Sequence, residues 1–132
     1  ELINLEEFVE AEILLIESLQ KYPRQHVLRV QLTDLYLDSN RDREAEQLLN
    51  VGLKMNAKSS DYIMQLARVY QKQGDADRAL NLLLTMPAAN QNAIDYVELL
   101  ASNYYQAGLY DLSTKQYEKL LKTLPSINFS RM

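Results

Sequence analysis

The chain has 132 residues, 47% of them hydrophobic, and a formal net charge of −4. The absence of cysteine excludes disulfides, thiolate metal sites and a cysteine nucleophile, and the acidic balance argues against a phosphate-binding surface, which needs a basic patch or stripe. Only three Gly and three Pro occur, which favours long helices over strand-and-turn architectures, and charges interrupt the apolar runs too often for a membrane span.

Apolar spacing predicts seven helices, at 6–21, 25–38, 42–55, 60–73, 76–86, 92–107 and 111–123. The first carries Glu6, Glu7, Glu10, Glu12 and Glu17, with Glu1 ahead of it, all before the first basic residue, Lys21. This reads as a solvated face that complements the helix dipole, or as an acidic patch for a basic partner. His26, the only histidine, follows Pro23 in the link to the second helix. One His without Cys assembles neither a general-base pair nor a metal site, so a solvated inter-helix residue is expected. In the fifth helix, Pro87 lacks an N–H and disfavours helix at Met86, so 87–92 is expected to form a loop. No phosphate-cradling glycine loop, nucleophile elbow or zinc-helix motif occurs.

A shift of 34 residues aligns the chain with itself across three units without insertion. Leu32, Leu66 and Leu100 coincide, as do Tyr36, Tyr70 and Tyr104. Each Leu–Tyr pair is spaced i, i+4 and so shares one helical face. Ala67 and Ala101, with the bulkier Thr33, are the small residues that let two helices approach. Asn40, Gly74 and Gly108 are suited to the left-handed conformation that ends a helix. Asp42, Asp75 and Asp111 stand near the start of each second helix, where acidic side chains complement the dipole and can cap it. Ala45, Ala79 and Ser113, then Leu49, Leu83 and Tyr117, complete the register. The expected units are a half repeat at 1–25, repeats at 26–59, 60–93 and 94–127, and the start of another at 128–132, in a single array expected to be part of something longer. Core packing is expected for Tyr36, Tyr70, Tyr104, Tyr110 and Tyr117. Tyr62, Tyr96 and especially Tyr105 are candidates for surface anchors. Both ends lack a cap, so apolar end faces are expected to stay exposed or to pair between molecules.

This register resembles the tetratricopeptide repeat, most clearly in Leu100, Ala101, Tyr104, Gly108, Tyr110, Ser113, Tyr117 and Pro125. The family's common Trp is replaced by Arg29, Ile63 and Val97. The resemblance implies an all-α fold, a right-handed α-solenoid of antiparallel helix pairs. It implies a non-catalytic scaffold that needs no cofactor and holds a protein or peptide in a concave groove lined by the first helix of each unit. Mapped here, the groove residues are Val30, Asp34 and Leu37, then Met64, Arg68 and Gln71, then Glu98, Ser102 and Tyr105. Val30, Asp34 and Glu98 stand where chaperone-binding members place Lys and Asn, so a clamp for a terminal carboxylate is not expected. An extended or helical segment with apolar anchors suits the stripe better.

Three runs are further similar to the periplasmic repeat regions of biogenesis proteins of mannose-sensitive haemagglutinin (MSHA) type IV pili. They are Ala45-Glu-Gln-Leu-Leu with Gly52-Leu53, Ala79-Leu to Met86-Pro87, and Asp95-Tyr96 to Leu99-Leu-Ala101 with Tyr105-Gln106. That likeness implies pilus- or secretion-assembly partners, and the periplasmic part of an inner-membrane protein; without it the expected compartment is the cytoplasm. The competing reading is an assembly module, with a homodimer formed through the uncapped ends. Nucleic acid and direct membrane contact are not expected.

Overall fold

The computed structural model describes residues 5–123, and all regular structure among them is helical. The helices are α1 (Leu5–Lys21), α2 (His26–Asp38), α3 (Asp42–Met55), α4 (Ser60–Lys72), α5 (Ala76–Leu83), α6 (Ile94–Gln106) and α7 (Tyr110–Thr123), with a single 3₁₀ turn at Ala88–Asn90. None is long and apolar enough to cross a membrane. The largest departure from the expected bounds is at α5, expected to reach 86. There Thr85 N–H donates to Leu82 O and Met86 N–H to Leu83 O, both at 3.0 Å. These i→i+3 bonds tighten the chain out of the helix ahead of Pro87.

The chain divides into two compact units between Tyr62 and Ile63, inside the first turn of α4. In the first, α2 packs against both α1 and α3. Leu19, Leu32, Tyr36 and Ala45 form its core, surrounded by half-buried Leu15, Ile16, Leu28, Leu35, Leu37 and Leu48. Burying one such Leu contributes about 1.5–3 kcal/mol, so this set dominates the unit's stability. Gly52 packs face-on against Tyr62; a Cβ there would lie 2.7 Å from the ring.

Arg29 occupies the register position of the missing Trp and is only 4% exposed. It donates from Nη2 to Pro23 O at 3.0 Å and from Nη1 to Leu48 O at 3.5 Å. Its charge also acts on the Tyr62 hydroxyl. Two carbonyl oxygens thus receive a guanidinium that has no carboxylate partner among the described residues. Burial raises the Tyr62 pKa, partly offset by the Arg29 charge.

In the second unit α6 packs against α5 and α7. Ile63, Leu66, Ala67, Val69, Tyr70, Ala79, Leu83, Val97, Leu100 and Ala101 are buried. Ser113 Oγ donates to Ala101 O at 2.9 Å, which fixes the close approach of α7 to α6. Tyr96, in register with Tyr62, is also buried, and its hydroxyl donates to Leu83 O at 2.9 Å. Burial raises its pKa as well. The register already paired these two tyrosines, yet both were candidates for surface anchors; both are core.

Tyr110 and Tyr117 depart from expectation in the opposite direction, at 59% and 43% exposed. They share one α7 stripe with Ser113, and Tyr110 meets Tyr105 of α6 edge-to-face, yet neither ring is enclosed. The register predicts which face a repeat buries. Burial also needs a neighbour to cover it.

The three inter-helix turns share one backbone solution. Asn40, Gly74 and Gly108 take left-handed φ of 60°, 80° and 79°. In each, the next residue's N–H reaches back five positions: Arg41 to Tyr36 O at 2.8 Å, Asp75 to Tyr70 O at 2.9 Å, and Leu109 to Tyr104 O at 2.8 Å. This is the Schellman closure that satisfies helix-end carbonyls. Of the three expected acidic caps, Asp75 accepts from Arg78 N–H at 3.1 Å. Asp42 is instead the first residue of α3, behind an N-cap at Arg41 that makes no side-chain cap bond.

Candidate protein-binding face

The expected groove residues fall on α2, α4 and α6. On α2, Asp34 is exposed while Val30 and Leu37 are half-buried. In the second unit the α4 and α6 stripes are brought together. Gln71 Nε2 donates to Ser102 Oγ at 2.5 Å, which sets the two helices side by side at this level. Arg68 lies one helical turn before Gln71, and Glu98 one turn before Ser102; both are exposed. Neither has a charged partner among the described residues, so the two side chains do not consume each other across the repeat. Tyr105 is 62% exposed and meets Tyr110 edge-to-face, with centroids 5.1 Å apart. Met64 is only 7% exposed, so its side chain lies mostly inside the fold and offers little contact area.

The face therefore presents a cation, an anion, a paired amide and hydroxyl, and an aromatic anchor.

A second concavity lies in the first unit, a cleft of about 370 Å³ lined by Pro23, Arg24, His26, Met55, Asn56, Ser59, Ser60 and Tyr62. His26 keeps its side chain 41% exposed and is also held there: Nε2 lies 3.0 Å from Asp61 Oδ2, and the ring meets Tyr62 edge-on at 4.6 Å. No hydrogen bond between His26 and a serine hydroxyl occurs among the described residues. No group of three or more His, Asp or Glu able to hold a metal occurs among the described residues.

Charge is gathered at two of the inter-helix turns. Arg41 Nη1 donates to Glu12 at 2.5 Å and Nη2 to Glu44, while its guanidinium lies 4.5 Å from the Tyr36 ring centroid. Hydrogen bonds from Arg41 lower the Glu44 pKa. Burial, followed by the Glu12 charge, raises that of Tyr36. Arg78 repeats the stacking on Tyr70 at 4.2 Å and donates Nη2 to its hydroxyl at 3.1 Å. The third turn carries Leu109 and Leu112 at those positions, 45% and 40% exposed.

The family model for the tetratricopeptide repeat matches residues 2–64 and 53–103. No curated protein matches the sequence. Among solved structures, a tetratricopeptide repeat protein from Parabacteroides merdae is similar at 21% identity and a TM-score of 0.79, over 89% of this chain and 47% of its own. A crystal structure of MamA is similar at 18% identity and a TM-score of 0.80, over 96% of this chain and 78% of its own. Another MamA structure is similar at 17% identity and a TM-score of 0.71, over 87% and 66%. The chain thus spans about half the length of the Parabacteroides protein and two thirds of the second MamA chain. At these identities the structures show a shared fold, the α-solenoid class of helical repeats. With the register, the Leu–Tyr faces and the left-handed turns, the match over most of the sequence places this chain in the tetratricopeptide repeat family.

Proposed function

We propose that this chain is a protein-interaction scaffold that holds an extended or helical partner segment on the first-helix faces of its second unit, those of α4 and α6. The observation that carries this reading is the Gln71–Ser102 hydrogen bond, which aligns the α4 and α6 stripes. It leaves Arg68, Glu98 and Tyr105 exposed beside them. Arg68 and Glu98 set the polarity of the bound segment, and Tyr105 packs on an apolar anchor. Val30, Asp34 and Leu37 supply the corresponding surface in the first repeat. The test is Arg68→Glu with Tyr105→Ala. A partner identified with the intact protein is captured by wild type and lost by the double variant at unchanged helicity. Unaltered capture by the folded double variant contradicts the assignment.

The runs shared with MSHA-type pilus biogenesis proteins support partners from a pilus or secretion assembly. A membrane-anchor segment encoded upstream is the outcome that agrees with this, and further repeats in its place argue for a longer general scaffold. A second reading, assembly of copies through terminal faces, is favoured by Leu14, Tyr117 and Leu121 at 64%, 43% and 55% exposed. Light scattering with and without flanking helices separates the two: self-association that disappears when those helices are restored supports assembly at the ends.

A further inference from the structure

The outer face of α1 carries apolar side chains that repeat packing does not explain. Leu14 is in register with Leu48, Leu82 and Gln116, all half-buried, so its exposure belongs to an ordinary repeat contact left uncovered. Tyr117 is likewise in register with Leu49 and Leu83, both 0% exposed. Val9 and Ile13 are different. Their register positions are Arg43 and Gln47 on α3, Asp77 and Asn81 on α5, and Asp111 and Lys115 on α7, and all six are exposed polar residues. Stacking another repeat leaves this surface in solvent, yet on α1 it is Val9 and Ile13, 46% and 50% exposed. Leu5, 76% exposed, extends the same stripe by i, i+4, i+8 spacing.

A row of carboxylates borders the stripe. Glu10 and Glu17 are exposed, spaced i, i+7, and rotated from Val9 and Ile13 by a fraction of a turn. Neither has a basic partner among the described residues. In contrast, Glu12, on the inner side of the helix, is taken by Arg41. An apolar stripe beside an unneutralised acidic row is complementary to one occupant, a helix with apolar residues at i, i+4, i+7 bordered by Lys or Arg. The same carboxylates repel an anionic lipid surface.

We propose that the Leu5–Val9–Ile13 stripe with Glu10 and Glu17 is a second docking surface, separate from the α4–α6 face, and that it takes a basic amphipathic helix. The test uses the full 132-residue chain and a synthetic amphipathic peptide of about 18 residues, long enough to form helix. The peptide carries Leu on one stripe and Lys on its borders; controls are a scrambled peptide of equal composition and a version with Glu for Lys. Fluorescence anisotropy is expected to show salt-sensitive binding of the striped basic peptide only. Val9→Arg with Ile13→Gln places on α1 the residue types that α3 carries in register, so folding is expected to be preserved, and binding falls about tenfold or more. Glu10→Lys with Glu17→Lys gives a loss of about the same size. The Arg68→Glu, Tyr105→Ala variant binds the peptide as wild type does, which separates this surface from the first. No binding by wild type, equal binding of the scrambled peptide, or unchanged affinity in the Val9→Arg, Ile13→Gln variant overturns the proposal. Self-association in sedimentation velocity that this variant abolishes assigns the face to a second copy of the chain and also overturns it.

Discussion

The turn after α2 and the turn after α6 have the same backbone and opposite chemistry. Both close with a left-handed residue and the same five-position hydrogen bond. After α2, Arg41 stacks on Tyr36 and binds Glu12 and Glu44. After α6, Leu109 and Leu112 take those register positions, and Tyr105 and Tyr110 meet edge-to-face beside them. The repeat specifies backbone closure and the buried Leu–Tyr face. It leaves the outward positions of the turn and of the second helix free to vary, and those positions distinguish the repeats as surfaces.

The largest expected effect comes from comparing buried and uncovered copies of one register position. Leu49→Ala should cost about 2–5 kcal/mol, because Leu49 is 0% exposed and leaves a cavity. Tyr117→Ala, at 43% exposed, should cost about 1 kcal/mol or less. Urea titration of both variants checks this, and equal losses would show that the α7 face is covered in solution.

Next in size is Gly52→Ala, which sets a methyl against the Tyr62 ring and should cost about 1–3 kcal/mol by overpacking. Gly108→Ala has open space around the new Cβ but a φ of 79°, so backbone strain alone should cost about 1–2 kcal/mol. A thermal melt that ranks Gly108→Ala far above Gly52→Ala contradicts the close Gly52–Tyr62 packing.

Smaller again is the graft of one turn onto the other. Leu109→Arg with Leu112→Glu copies the Arg41–Glu44 pair and should change stability by only about 0.5 kcal/mol, since the pair is exposed. It should nevertheless weaken binding of an apolar dye, and unchanged dye binding would remove the exposed turn from the account.

The smallest effect is in acid. Glu44 has a folded pKa below its ordinary value, so its contribution is present above the usual carboxylate range and is lost as pH falls through the folded value. Glu44→Gln should flatten that limb of the urea midpoint against pH, and an unaltered limb would mean that Arg41 does not hold Glu44 in solution.

Much of this was legible in the sequence. A 34-residue period with i, i+4 apolar pairs specifies helix positions, turn residues and most of the core without knowledge of three-dimensional contacts. Where it misled, the cause lay in what surrounds a position. Tyr110 and Tyr117 carry the register of core residues, yet no helix among the described residues encloses them. Tyr62 and Tyr96 looked optional because a hydroxyl suits a surface, yet the register matched them; both are buried, and the Tyr96 hydroxyl finds Leu83 O inside. Arg29 was legible as a departure from the family's Trp but not as a buried residue, since its burial depends on carbonyls contributed by Pro23 and Leu48. For the proposed groove stripe, the i, i+4, i+7 spacing put each set on one side of its helix. It could not show that Gln71 and Ser102 join across two helices, or that Met64 turns inward.

The central claim is that a partner segment lies on the α4–α6 face, and site-specific photocrosslinking tests it most directly. A crosslinking residue at Ser102 reports on that face, and one at Asn81, exposed on α5, reports on a surface outside it. The account predicts adducts with one defined partner segment from position 102 and none from position 81. Equal adducts from both positions, or adducts from position 81 alone, would contradict it.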